Sequence, residues 1–293
     1  MMTGRSPTLA APCEVIMIKD ILVRLDGTPG DFARLAAVSQ IAAAFESHIT
    51  GLIFNVLPAA ITDGIQDAGS GGSAKLLNDA RKAGDALEAT ALQRLERLQQ
   101  PTFLRRFDVA GERDVADTAS LLARAADTFV ALRPNGQPNE PQGLIEELLY
   151  GAGRHLFVVP EDKKTMAPLD HVLVAWNGSR ESARALSEAL PYLQRARKVW
   201  LLVVENERPA ETDALRGNDA VQHLRHHGIN AVKYRAVGED DEIADIVIEE
   251  CRRLGADLLV MGSYGHSRLH ELLPGSTTSR LLHHSPVPLV IAH

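Results

Sequence analysis

The chain has 293 residues, 45% hydrophobic and 24% charged, which is apolar material enough for two ordinary cores. Its formal net charge of -7, with Lys and Arg nowhere gathered, argues against a nucleic-acid surface or an acidic membrane face as partner. The two cysteines, Cys13 and Cys251, lack partners at metal-ligand or redox spacing, and no apolar run nears the roughly 18 to 20 residues of a membrane span, so a soluble, cytoplasmic protein is expected.

Residues 1–16 lack the basic start and unbroken apolar core of a signal peptide and read as a disordered lead-in, with the fold opening at Met17-Ile18-Lys19. The first apolar run, Ile21 to Leu25, ends in Asp26-Gly27-Thr28, a strand followed by a tight turn and a helix cap. The same pattern returns as Val172 to Trp176 followed by Asn177-Gly178-Ser179. Ala126-Asp127-Thr128-Phe129-Val130 likewise returns as Ala256-Asp257-Leu258-Leu259-Val260, and Leu156 to Val159 as Pro288 to Ile291. The chain is therefore two copies of one unit. The spacing between copies falls from 151 residues at Asp26 and Asn177 to 130 at Asp127 and Asp257, so the first copy carries an insert, placed at the Gly/Ser/Ala-rich stretch Gly69 to Ala74 and read as flexible.

Short apolar runs alternating with amphipathic helices predict α/β architecture: two tandem, doubly wound, five-stranded parallel-sheet domains. The boundaries expected are 17–160, a linker at 161–169, and 170–293. In the second copy strands are expected at 171–176, 198–204, 230–236, 258–261 and 287–291, with helices at 179–195, 211–227, 240–254 and 276–284. Pro191 should end or kink the first of these helices.

After the buried run Asp257 to Met261 comes Gly262-Ser263-Tyr264-Gly265, then nine residues, then Gly275-Ser276-Thr277-Thr278 opening a helix. Glycines permit close backbone approach to an anion, while the helix start adds oriented amides, the positive dipole end and hydroxyl donors. The bland alternative is a pair of turn glycines and an N-cap serine. The spacing Gly262-x2-Gly265-x9-Gly275-Ser276 resembles the ATP-binding signature of the universal stress protein family, and the strands around it in both copies resemble that family's tandem members. The resemblance implies an adenine nucleotide, ATP with or without Mg, whose adenine lies near Ala175, Trp176 and Val204. Ribose and phosphates would be held by Gly262, Gly265, Gly275, Ser276, Thr277 and Thr278, with Asn177 and Met261 completing the candidate site. It implies pairing of the two domains through their last strands, and leaves open whether whole chains form a homodimer. A regulatory or protective stress role follows, with slow Mg-assisted ATP hydrolysis or a non-binding scaffold as the alternatives.

Asn177 stands where such members commonly have aspartate, so it offers no charge for a divalent cation and no general base. No catalytic residue and no metal site is assigned. The first copy keeps Asp26 but has Leu132 in place of Gly262 and Pro134 shortly after; Leu132 is expected to intrude on the phosphate seat, and Gly143 is the nearest counterpart of Gly275. His223, His226 and His227 could share a helix face but lack a third ligand at a telling spacing, while His266, Arg268 and Arg280 are second-rank phosphate contacts. Gly151-Ala152-Gly153 precedes a strand instead of following one, which removes a dinucleotide reading.

Overall fold

A computed structural model describes residues 17–59, 71–134, 141, 143–162, 165–205, 217–263 and 276–293. The lead-in at 1–16, and Gly265, His266, Arg268 and Gly275 of the loop, lie outside the described residues.

The first half runs β1 (Asp20–Arg24), α1 (Gly30–Phe45), β2 (His48–Val56), α2 (Gly71–Leu95), β3 (Thr102–Val109), α3 (Glu112–Ala123), β4 (Thr128–Leu132), α4 (Leu144–Gly151) and β5 (Leu156–Val159). The second repeats it with β6 (His171–Ala175), α5 (Arg180–Arg195), β7 (Lys198–Glu205), α6 (Asn218–His226), β8 (Ala231–Val237), α7 (Ile243–Leu254), β9 (Leu258–Gly262), α8 (Thr277–His284) and β10 (Leu289–Ala292). All pairings are parallel except that of β5 with β10, which joins the two half-sheets into one, in the order β3-β2-β1-β4-β5-β10-β9-β6-β7-β8.

Each inner strand is apolar on both faces because helices cover both. Along β5 and β10, Phe157, Val159, Val290 and Ala292 join the layer formed by α1, α2, α5 and α6. Leu156, Val158, Leu289 and Ile291 face α3, α4, α7 and α8. Both layers thus run unbroken across the antiparallel seam, which also removes two sheet edges from solvent. Tyr192 of α5, wholly buried, sits at this junction with its ring 5.7 Å from Phe45, edge-on, and 5.8 Å from Phe157. His155, just before β5, bridges the halves: Nδ1 lies 3.1 Å from Glu188 and Nε2 3.2 Å from the Tyr192 hydroxyl. Arg133 reaches across to donate to the Ser285 carbonyl at 2.8 Å.

The repeat is visible in its details. Asp127 accepts from the amides of Lys19 and Asp20, and Asp257 accepts from that of His171, so one aspartate before the fourth strand clips the start of the first in both halves. At the other end of these first strands, the Asp26 carboxylate accepts from the Thr28 amide and the Asn177 side-chain oxygen from the Ser179 amide, both at 3.0 Å. Gly27 and Gly178 supply the positive φ that both turns require, 79° and 76°.

Four sequence expectations change. Gly71 to Ala74 do not form a flexible insert but open α2, a 25-residue helix whose counterpart α6 has nine, so the extra length of the first half is largely helical. Gly69 and Ser70 lie outside the described residues. Pro191 sits inside α5, which continues to Arg195. The carbonyl it leaves without an amide belongs to Ser187, an exposed residue that water can serve. The last strand begins at Leu289, not at Val287, and α6 begins at Asn218, with 211–216 outside the described residues.

Candidate functional site

The carboxyl ends of β6, β7 and β9 open onto a cavity of about 280 Å³, closed by the first turns of α5, α7 and α8. This is where open parallel sheets hold their ligands, because helix starts and strand ends converge there. Of the candidate residues, Ala175, Trp176, Asn177, Val204, Met261, Gly262, Ser276, Thr277 and Thr278 all line it. The wall divides by chemistry. Leu202, Val204, Ile243, Val247 and Met261 form an apolar end between sheet and α7, whereas Asn177, Ser179, Ser182, Ser263 and Ser276 to Thr278 gather amide and hydroxyl groups at the other.

Local sequence builds the polar end. Ser179 caps α5 by accepting from the Ser182 amide at 3.1 Å, and Ser276 caps α8 by accepting from the Ser279 amide at 3.2 Å. Both helix starts therefore face the same space. Asn177 spends its side-chain oxygen on the turn, leaving its amide nitrogen as the group it can offer. Ser263 is fully buried and its hydroxyl has no hydrogen-bond partner, although it lines the cavity. A buried hydroxyl without a partner carries a desolvation cost that a bound polar group would relieve. Ser263→Ala is accordingly expected to leave stability within about 0.5 kcal/mol of wild type, or to raise it, in urea denaturation.

Gly262 has a reason beyond anion approach. A β-carbon there would lie under 3.0 Å from the backbone of Glu181 and Ser182, so the bare glycine lets α5 start hard against the end of β9. The first half solves the same contact in reverse: the glycine is Gly30, on the helix, and Leu132 on the strand packs against it. Leu132 thus fills the strand–helix gap rather than a phosphate seat. Gly143 aligns with Ser276 as the residue before the helix, not with Gly275, and supplies no hydroxyl cap.

Sequence reasoning missed Glu181. Only 4% exposed, it is the sole carboxylate lining the cavity among the described residues. Burial alone would raise its carboxyl, but its own amide, the Ser179 hydroxyl and Arg180 overcome that and hold it below the usual range. Its signal in the sequence is an acidic residue in a helix's first turn, which is too common to single out. Ile243 and Val247, one turn apart on α7, were equally hidden among ordinary core positions.

The corresponding place in the first half also holds a cleft, about 270 Å³, but one lined by Arg24, Asp26 and Glu112 beside Phe54 and Val115. Arg24 replaces Ala175 and Phe54 replaces Val204. Behind it Asp31 and Arg34 take the places of Ser182 and Ala185, so a charge network stands where the second half has small residues. Arg34 and Arg24 bind Asp26 at 2.7 and 3.0 Å, and Arg34 and Arg94 both pair with Asp31.

Other candidates fall away. Arg280 grips Asp245 with two bonds of 2.5 and 2.6 Å and does not line the cavity. His223 and His227 do pack together, ring centroids 4.6 Å apart, yet among the described residues no group of three ligating side chains is poised for a metal. Cys251 is buried and its thiol pushed up to about 12 by that burial. Among the described residues no helix is long and apolar enough to cross a membrane.

Residues 168–293 match the family model of the universal stress proteins. A search of curated proteins found no match. Among solved structures, a universal stress protein from Archaeoglobus fulgidus DSM 4304 is similar over 93% of this chain and 97% of its own, at 15% identity and a TM-score of 0.71. A functionally unknown protein from Pseudomonas aeruginosa PAO1 covers 94% and 92%, at 16% identity and a TM-score of 0.58. At these identities the likeness is one of fold, and it spans both halves. The chain thus carries a universal stress protein family domain over residues 168–293, and its first half repeats the same fold.

Proposed function

We propose that the second half holds an adenine nucleotide, ATP among those it admits, and that the bound state serves a regulatory or protective role in a cytoplasmic stress response. The observation that carries this reading is the convergence of nine candidate residues on one cavity with an apolar end and a hydroxyl-rich end. A base suits the first, between Val204, Ile243 and Met261; a ribose and phosphate suit the second, at the α8 start. Gly265 and Gly275 would extend that seat, as the loop spacing implies. The same reading divides the chain into 17–160, a linker at 161–169, and 170–293, with the β5–β10 seam as the interface between the two domains. Because Asn177 is committed to its turn and is no base, the site is one for holding a nucleotide rather than hydrolysing it.

Equilibrium titration of the purified chain with ATP and with AMP tests the proposal. Trp176, at the cavity wall, supplies a fluorescence signal. Saturable binding that competes between the two nucleotides is the expected result. No binding of either, at millimolar ligand, would sink the reading.

A further inference from the structure

We propose that Glu181 sets the charge of the ligand this cavity accepts, favouring adenine nucleotides with few phosphates over the triphosphate when no divalent cation is present. This deepens, and rests on, the nucleotide reading above.

Two helix starts meet at the polar end, α5 through Ser179, Glu181 and Ser182, and α8 through Ser276 to Thr278. Each would ordinarily offer unsatisfied amides and a positive dipole end to an anion. At α5 that place is taken. The Glu181 carboxylate turns back onto its own amide and the Ser179 hydroxyl, while the Ser179 side chain uses the Ser182 amide. Only the α8 start is left without a carboxylate, so the described wall provides one anion seat rather than two. Glu181 cannot readily swing aside, because Gly262 brings its backbone against the end of β9 and the side chain is 5% exposed. Its partner Arg180, 3.1 Å away, is 90% exposed, and solvent screens what it contributes. No Lys, Arg or His lines the cavity among the described residues. Each phosphate beyond the first would therefore add about one negative charge near a fixed negative charge in a partly dry space.

The experiment measures binding of adenosine, AMP, ADP and ATP to wild type and to Glu181→Gln, with EDTA and with magnesium. In EDTA the wild type is expected to bind AMP more tightly than ATP. Glu181→Gln should tighten ATP by about tenfold, AMP by about threefold and adenosine not at all. Glu181→Ala, which cannot form new hydrogen bonds, should repeat that order. A shift equal for all four ligands, or none, overturns the proposal. So does weaker ATP binding by the Gln variant in magnesium, since the carboxylate would then be holding the cation. If wild type binds none of the four, the nucleotide reading itself fails and takes this proposal with it.

Discussion

Asp31→Asn is expected to destabilise the protein by about 3 to 5 kcal/mol, read as a fall in the urea midpoint without a change of slope. Asp31 is fully buried in the first turn of α1 and is the hub of the first half's charge network. Its carboxylate pairs with Arg34 and Arg94 and also accepts from the amides of Asp26 and Gly27, at 3.2 and 2.9 Å. Asparagine keeps the shape but removes the charge and turns one acceptor into a donor that faces a guanidinium. Arg34, 5% exposed, would retain only Asp26 as a charged partner. Arg94, which also donates to the Gly27 and Thr28 carbonyls at 2.8 and 3.0 Å, would loosen the contact between α2 and the β1 turn. A loss below about 1 kcal/mol would mean that the network contributes little more than an exposed ion pair.

The same network makes a pH prediction possible. Burial would raise the Asp26 carboxyl, but the hydrogen bond and charge of Arg34, the charge of Arg24 and the Thr28 hydroxyl outweigh it and hold it well below the usual range. A depressed folded value stabilises at every pH above the unfolded carboxylate range, about 4, and the benefit disappears as pH falls further towards the folded value. Acid unfolding below about pH 4 should therefore be shallower in Asp26→Asn than in wild type, because the variant has already lost that term.

The second large effect is expected at Gly262. Gly262→Leu should cost about 3 kcal/mol, because the new side chain meets main-chain atoms of Glu181 and Ser182, which cannot rotate away, and α5 must shift as a body. The first half suggests the remedy, since it holds Leu132 against Gly30 at the equivalent contact. Gly262→Leu combined with Glu181→Gly should recover part of the loss, with a coupling of at least about 1 kcal/mol in a double-mutant cycle, even though glycine weakens the first turn of α5. Strict additivity of the two changes would show that the strand–helix approach is not what constrains these positions.

These cases mark how far the sequence could be read. The turn residues Asp26-Gly27-Thr28 and Asn177-Gly178-Ser179 announced the repeat because a strand-to-helix turn needs a side-chain acceptor, a positive φ and a cap in consecutive places. The buried strands were equally legible, since covering both faces of a sheet leaves a continuous apolar run. Boundaries moved by one to three residues at β10 and α7, where no strong cap or breaker marks the change. The helical nature of the residues after Ser70 escaped because a Gly-Gly-Ser start has low helix propensity, and only the amphipathic stretch beyond it carries α2.

What the sequence determined by itself was the α/β unit, its duplication, and the nine lining residues that belong to recognisable turns, strand ends and a helix cap. Local chemistry specifies these, because each depends on neighbours a few residues away. Tertiary structure alone decided that Glu181 enters the cavity, that Ser263 is buried there without a partner, that Gly262 and Gly30 are opposite solutions to one contact, and that Arg94 crosses from α2 to close the network around Asp31. Each of these depends on groups 60 or more residues apart, or on a gap of less than the width of one methyl group between helix and strand, and no local pattern records such distances.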